Sequence, residues 1–341
     1  MHLVAGGTGY FGEILVRRLL QRGEAVRVFD LNRPEGFSDK VEVQQGDIRD
    51  AQAVRRACED VTHIYHCVAQ VPLAKDSELF WSVNRDGTAN LLAAAAQARV
   101  RKLIYLSSSA VFGIPASNPV SEETLPAPRE DYGRAKLEGE RLCSKYASKG
   151  LDVSIIRPRT ILGHGRLGIF QILFEWLHQG QNIPVFDDGG NMYQFVHADD
   201  LAEACLRAAA RPGAAIYNIG AERFGSMRQT LEGLLAHAGT RSRLRSVPMW
   251  LFVPLMHAAS ALRLSPLAPY HSLMYGRSLY FDITKARREL EWTPCYGNVE
   301  MLCESYDWYC RLREMILRSH TGSRHRSAVR QGVMALFKYF F

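Results

Sequence analysis

A tyrosine and a lysine stand four residues apart in Tyr132-Gly133-Arg134-Ala135-Lys136. On a helix they share one face, a turn from each other. A free phenol gives up its proton near pH ~10, too high for a base at neutral pH. A lysine ammonium close by favours phenolate and draws that value down. Upstream, Ser107-Ser108-Ser109-Ala110-Val111-Phe112-Gly113 supplies hydroxyls, and Ser108 is the one expected to hold a substrate oxygen that Tyr132 deprotonates. Together these residues can move a proton while a hydride goes elsewhere. Surface helices produce Tyr-x-x-x-Lys by chance, so its meaning depends on what precedes it.

What precedes it is a strand, a glycine-rich turn and a helix. His2-Leu3-Val4-Ala5 is a short apolar strand, Gly6-Gly7-Thr8-Gly9-Tyr10-Phe11-Gly12 follows, and Ile14, Leu15, Leu19 and Leu20 give a helical pattern that stops at Gly23. Glycines let the backbone approach a pyrophosphate, and a helix N-terminus offers it free N–H groups. The strand Ala25–Phe29 ends in Asp30, about 20 residues on, where a carboxylate accepts from ribose hydroxyls and repels a 2′-phosphate. That favours NAD over NADP, with Arg33 close by as a competing cation. Further strands are expected at Val41–Val43, His63–Cys67, Arg101–Leu106, Leu151–Ile156 and Ile216–Ile219, alternating with helices at Asp50–Cys58, Glu78–Ala98 and Leu167–His178. This alternation indicates an α/β chain with a parallel, doubly wound sheet. The serines then arrive at the carboxyl end of a strand, where such sheets bind ligands.

The chain of 341 residues, 47% of them hydrophobic, is long enough for a large α/β unit of residues 1–160. Elements near 190–220 return to that unit, a smaller substrate lobe spans 161–316, and residues 317–341 form a tail. Net charge is +7, but Arg311 to Phe341 holds seven basic residues and one acid. The body is therefore nearly neutral and nucleic acid is not an expected partner. The seven cysteines have no metal-ligand spacing, no metal is expected, and reduced thiols in a cytoplasmic protein are the reading. No signal peptide or spanning helix is expected. Two apolar segments stand out. Val247–Tyr270 reads as a helix packed on the lobe or a hydrophobic lid, and 326–341 as a frayed end or an element docking on an anionic membrane.

With these residues in view, the chain resembles the extended short-chain dehydrogenase/reductases, the NAD-dependent epimerase/dehydratase family. The resemblance rests on Gly6-x-x-Gly9-x-x-Gly12, Asp30, Gly46-Asp47-Ile48, His66-Cys67-Val68-Ala69-Gln70, Asn84-Arg85-Asp86-Gly87-Thr88, Ser107–Gly113, Tyr132-x-x-x-Lys136, Arg157-Pro158 and Phe195-Val196-His197, across residues 1–310. It implies a Rossmann-type fold with a C-terminal substrate lobe, NAD as cofactor and a homodimer through long helices near 85–98 and 131–149. It implies catalytic roles for Ser108, Tyr132 and Lys136. Cofactor contacts are implied for Gly6, Gly7, Gly9, Tyr10, Phe11, Gly12, Asp30, Asp47 and Ile48 (beside the adenine), Cys67, Val68, Ala69, Asn84, Ser107, Tyr132, Lys136 (on the nicotinamide ribose) and Pro158. A cationic nicotinamide ring would also favour Tyr132 phenolate.

Departures from the family narrow the reaction. Dehydratases place Asp-Glu directly after the catalytic Ser/Thr, where this chain has Ser109 and Ala110, so 4,6-dehydration is not expected. Nucleotide-sugar members carry an Arg before Phe-x-His and an Asn after the Arg-Pro pair; here those positions hold Tyr193 and Thr160. Family weight still favours a sugar or nucleotide sugar and 4-epimerisation. The rivals are a dehydrogenase of an apolar hydroxy substrate, of hydroxysteroid or β-keto acid type, and a catalytically idle NAD-binding regulator. Ser107 and Ser109 read as backbone-capping hydroxyls, His66 and His197 as structural, Asp199 or Asp200 as a helix N-cap, and Arg157 as pointing into the fold.

Overall fold

The computed structural model describes residues 1–33, 37, 39–70, 77–168, 170–250, 254 and 276–318. Most of Val247–Tyr270 and all of 326–341 lie outside the described residues. The first half alternates as expected: β1 (His2–Ala5), α1 (Tyr10–Gln21), β2 (Val26–Asp30), β3 (Val41–Gln45), α2 (Ala51–Ala57) and β4 (His63–His66). Next come α3 (Ser77–Trp81), α4 (Gly87–Gln97), β5 (Lys102–Leu106), α5 (Asp131–Ala147) and β6 (Val153–Pro158). The second half holds β7 (Thr160–Leu162), α6 (Phe170–His178), β8 (Ile183–Phe186), β9 (Met192–Tyr193), β10 (Phe195–His197), α7 (Ala198–Ala210) and β11 (Ala215–Ile219). It closes with β12 (Gly225–Ser226), α8 (Met227–Ala238), β13 (Leu244–Val247), α9 (Thr284–Leu290) and α10 (Asn298–Arg318).

Seven strands form one sheet in the order β11-β6-β5-β4-β1-β2-β3, with every neighbouring pair parallel. Chain order reverses between β1 and β4, which opens a crevice at their carboxyl ends. The strands are apolar because both sheet faces are covered. On one face, Ile14, Leu15 and Leu19 of α1 pack with Leu201 and Leu206 of α7; on the other, Val54 of α2 packs with Leu91 and Leu92 of α4 and Cys143 of α5. Each fully buried Leu contributes ~2 kcal/mol from removing apolar surface from water. Chain entry into α2 is set by Asp50, whose carboxylate accepts from the Gln52 and Ala53 amides.

The second half has a separate core in which Phe174 and Trp176 of α6 meet Leu231 and Leu234 of α8 and Tyr306 and Tyr309 of α10. Its strands outside the main sheet are short pairs, β7 with β10, β9 with β12 and β8 with β13. The helix expected over 78–98 is interrupted. Residues Ser82–Asp86 form a π turn between α3 and α4, a widened turn that local apolar spacing does not reveal. The α1 and α7 helices are joined by an Arg18–Asp199 ion pair at 2.8 Å. No helix among the described residues is long and apolar enough to cross a membrane.

Candidate active site

The glycine turn is built for close approach. A Cβ on Gly12 would lie 2.0 Å from the Gly6 carbonyl oxygen, and one on Gly7 would strike Val28 at 2.8 Å. These two glycines pack the turn against the sheet. Gly9 differs, because a Cβ there would meet only the Gly6 oxygen, at 3.3 Å, so its outer face is open. It is also the N-cap of α1 and provides no side-chain acceptor. The first-turn amides of Tyr10, Phe11 and Gly12 therefore present positive ends to an anion. The Tyr10 and Phe11 side chains are buried in the core, so only their main chain is positioned for a dinucleotide. Gly6, at φ +84°, packs on the backbone of Cys67 and Val68.

The other positions expected to hold the cofactor are each fixed by their own contacts. Asp30 Oδ2 accepts from the Thr8 amide at 3.1 Å and Oδ1 accepts from the Asn32 amide at 3.1 Å, which fixes the carboxylate beside the turn. Asp47 is held by Arg49, whose Nη2 lies 2.5 Å from Oδ2; the pairing keeps that carboxyl below its usual range. Ile48 is buried beneath Gly87. Asn84, fully buried within the π turn, clamps the chain leaving Ala69. Its Nδ2 donates to the Gln70 carbonyl at 3.1 Å and its Oδ1 accepts from the Gln70 amide at 3.0 Å. An open glycine face, an uncapped helix start and a fixed acid fit a dinucleotide pyrophosphate and its ribose.

Across the crevice, α5 starts under a cap that sequence reading did not find. The Glu130 carboxylate accepts from the Tyr132 amide at 2.8 Å and the Gly133 amide at 2.7 Å. An acidic residue two before the tyrosine was the available signal. Ser108 leads the 3₁₀ turn Ser109–Phe112, and its Oγ accepts from the Ala110 amide at 3.1 Å. The Ser108 hydroxyl favours the ionised form of the Tyr132 phenol. Burial pushes Tyr132 up to about 12, against the lowering effects of Ser108 and Arg166. Lys136 is buried with its Nζ donating to the Leu106 carbonyl at 2.8 Å, and burial brings its amine down to about 8. The expectation that Lys136 draws the Tyr132 value down is not met here. The ammonium donates to a carbonyl, and the charges acting on the phenol are the Glu130 carboxylate, which raises its value, and Arg166, which lowers it.

Beneath these groups lies a buried ionic layer. Glu140, one turn beyond Lys136 on α5, takes Arg157 in a fork, Nε at 2.9 Å and Nη2 at 2.6 Å, and also accepts from Ser107 Oγ at 2.5 Å. Arg157 points into the fold and lies over the Phe112 ring at 4.9 Å. Ser109 Oγ accepts from Arg159 Nη1 at 2.9 Å. Ser107 and Ser109 are thus tied to charged side chains rather than to backbone, and the backbone cap in the cluster is Ser108. Pro158 closes β6 at the crevice edge. Glu140 stands at i+4 from Lys136 and was legible as a same-face acid.

The matching family closes the identification. The sequence pattern of the NAD dependent epimerase/dehydratase family fits residues 2–220. The chain belongs to that family. Its likeness to curated relatives includes 53% identity over 339 residues with uncharacterized protein y4nG of Sinorhizobium fredii, covering 99% of this chain and 85% of the relative. It is 30% identical to a 3 beta-hydroxysteroid dehydrogenase/Delta 5-->4-isomerase of Mycobacterium tuberculosis, covering 92% and 91% of the two chains. Among solved structures, the UDP-glucose 4-epimerase of Thermus thermophilus, in complex with NAD, superimposes with a TM-score of 0.73 at 27% identity, covering 91% and 98%. Family members are NAD-dependent enzymes, and NAD is the cofactor here.

Family patterns at the far side of the crevice are altered. Tyr193 and Thr160 share a hydrogen bond at 3.1 Å and Tyr193 is buried, so an arginine head and an asparagine amide are replaced here by two hydroxyls bonded to each other. His197, not Asp199 or Asp200, is the N-cap of α7: its Nδ1 accepts from the Asp199 amide at 3.2 Å. Its Nε2 pairs with Glu304 at 2.9 Å and its ring stacks on Tyr296 at 3.7 Å. Asp200 instead caps the later chain by accepting from the Cys295 and Tyr296 amides. His164, His197 and Asp199 bring potential metal ligands within 4.8 Å of one another. Their atoms are already committed to one another, to Glu304 and to Arg18. His66 is buried, with Nε2 on Thr88 Oγ1 at 2.9 Å, and burial brings it down to about 3.

Proposed function

We propose that this enzyme interconverts a secondary carbinol and its ketone, with Ser108, Tyr132 and Lys136 as the working residues and an apolar hydroxy compound as substrate. The observation that carries the substrate reading is the Tyr193–Thr160 hydrogen bond. It joins two hydroxyls at the positions where nucleotide-sugar members of the family carry a cationic Arg and an Asn. The likeness to a hydroxysteroid dehydrogenase over most of both chains supports the same reading.

Each residue's part follows from its surroundings. Ser108 holds the substrate oxygen. Tyr132, protonated at neutral pH because burial keeps it up at about 12, donates its proton to a forming alkoxide and takes one back in the oxidative direction. Bound NAD supplies the hydride acceptor and, when oxidised, a positive charge that favours the phenolate. Gly6, Gly7, Gly9, Gly12 and the amides of Tyr10 and Phe11 hold its pyrophosphate; Asp30 holds the adenosine ribose; Asp47, Ile48, Cys67, Val68, Ala69 and Asn84 line its path. Lys136 and Pro158 stand at the nicotinamide end, with Ser107 behind them. We further propose a cytoplasmic homodimer as the working form, for which sedimentation velocity at twice the monomer mass is the expected result.

The test is absorbance at 340 nm with NAD and a panel of 3-hydroxysteroids and long-chain 3-hydroxy acids, with UDP-glucose alongside. Accumulating NADH on an apolar substrate, abolished in Tyr132→Phe, is the expected result. Turnover of UDP-glucose without net NADH would replace it with epimerisation, the second reading, which the likeness to the Thermus enzyme favours. Full activity in Tyr132→Phe would overturn the assignment of the phenol.

A further inference from the structure

Among the described residues, several arginines hold carboxylates through one edge, the fork of Nε and Nη2: Arg27 holds Glu42 this way, Arg49 holds Asp47, Arg85 holds Asp86, Arg157 holds Glu140 and Arg313 holds Glu175. Arg159 differs. It is 1% exposed, directly after β6 at the carboxyl edge of the sheet, and its Nη1 donates to Ser109, the neighbour of Ser108. Its Nε and Nη2 are both buried and have no hydrogen-bond partner among the described residues. Aromatic faces flank the guanidinium, Tyr193 at 4.7 Å and Phe281 at 5.6 Å. Rings stabilise a cation but accept none of its in-plane N–H bonds. A buried charge with three of its five N–H donors unmet is costly unless something is gained from it.

We infer that the Nε/Nη2 fork of Arg159 receives an anionic group of the substrate, a carboxylate or a phosphate, and so selects substrates that carry one near the reacting carbinol. The inference rests on the reading of the Ser108–Tyr132 crevice as the substrate site. A fork of two parallel N–H groups matches the two oxygens of either anion. On this account the substrate is amphipathic: an apolar body, a secondary hydroxyl and an anionic head.

The test uses the full chain loaded with NAD. Titration calorimetry compares a long-chain 3-hydroxy acid, its methyl ester, and UDP, in wild type, Arg159→Met and Arg159→Lys. The expected result is about 10- to 100-fold weaker binding of one anion in Arg159→Met, the scale of a charge-assisted bidentate contact, with ester and NAD affinities unchanged. Arg159→Lys keeps the charge but not the fork and should recover only part of the loss. Loss for the hydroxy acid identifies a carboxylate subsite; loss for UDP identifies a phosphate subsite. Thermal melts separate folding from binding: a saturating anion should raise the Tm of wild type and not of Arg159→Met. Equal losses for acid and ester, or anion affinity unchanged in Arg159→Met, would make the guanidinium structural and overturn the inference. Arg159-dependent anion binding without any NADH formation would leave the subsite standing and remove the dehydrogenase reading instead.

Discussion

Lys136 is a buried amine that donates to the Leu106 carbonyl, and its replacement has a calculable signature. Burial moves it from 10.5 to about 8. Each pKa unit corresponds to ~1.4 kcal/mol, so charging this amine in the folded state costs about 3 kcal/mol relative to the unfolded chain. The sign follows from linkage. Between pH ~8 and pH ~10.5 the unfolded chain binds the proton and the folded chain has released it, so stability rises with pH across that window. Below pH ~8 both states are charged and the full penalty applies. Lys136→Met removes the penalty but leaves the Leu106 carbonyl without its partner, a buried loss of ~1–3 kcal/mol that does not depend on pH. At pH 7 the two effects nearly cancel, and the variant should be as stable as wild type or up to about 2 kcal/mol more stable. Urea unfolding followed by circular dichroism from pH 6 to 10.5 isolates the amine. Wild-type stability should gain about 3 kcal/mol relative to Lys136→Met between pH 7 and 10.5. A difference that stays flat across that range would refute a buried amine titrating near 8.

Other perturbations probe the layers around it. Glu140→Ala leaves the Arg157 guanidinium buried and unpaired and should cost about 3–5 kcal/mol in urea unfolding, whereas a surface pair such as Arg318–Glu314 should cost under about 1 kcal/mol. Burial pushes the Asp199 carboxyl up, but hydrogen bonds from His164 and Arg18 outweigh it and hold it well below the usual range. Its stabilisation is therefore present above pH ~4 and lost as pH falls further, so the gap between wild type and Asp199→Asn should shrink from pH 7 to pH 3. Asp30→Ser removes the repulsion of a 2′-phosphate and should narrow the kcat/KM preference for NAD over NADP by ~10-fold; an unchanged ratio would assign discrimination to another residue.

Local features of the sequence were sufficient for the alternating strands and helices of the main sheet, the glycine turn, Asp30 and the helix bearing Tyr132 and Lys136. Those depend on short spacings: period 2 in strands, near 3.6 in helices, and glycine where a Cβ would strike a carbonyl, as at Gly12. Features set by distant packing were not legible. The π turn that buries Asn84 needs Gln70 as its partner, 14 residues away. The Arg157–Glu140 fork joins β6 to α5, and Arg159 meets Ser109 across 50 residues. Lys136 could be assigned to a helix face from spacing, but its orientation toward the Leu106 carbonyl depends on how α5 sits over β5. Burial is the physical reason for the division. It moves Tyr132 up and Lys136 down by removing water, and only the assembled chain specifies where water is excluded.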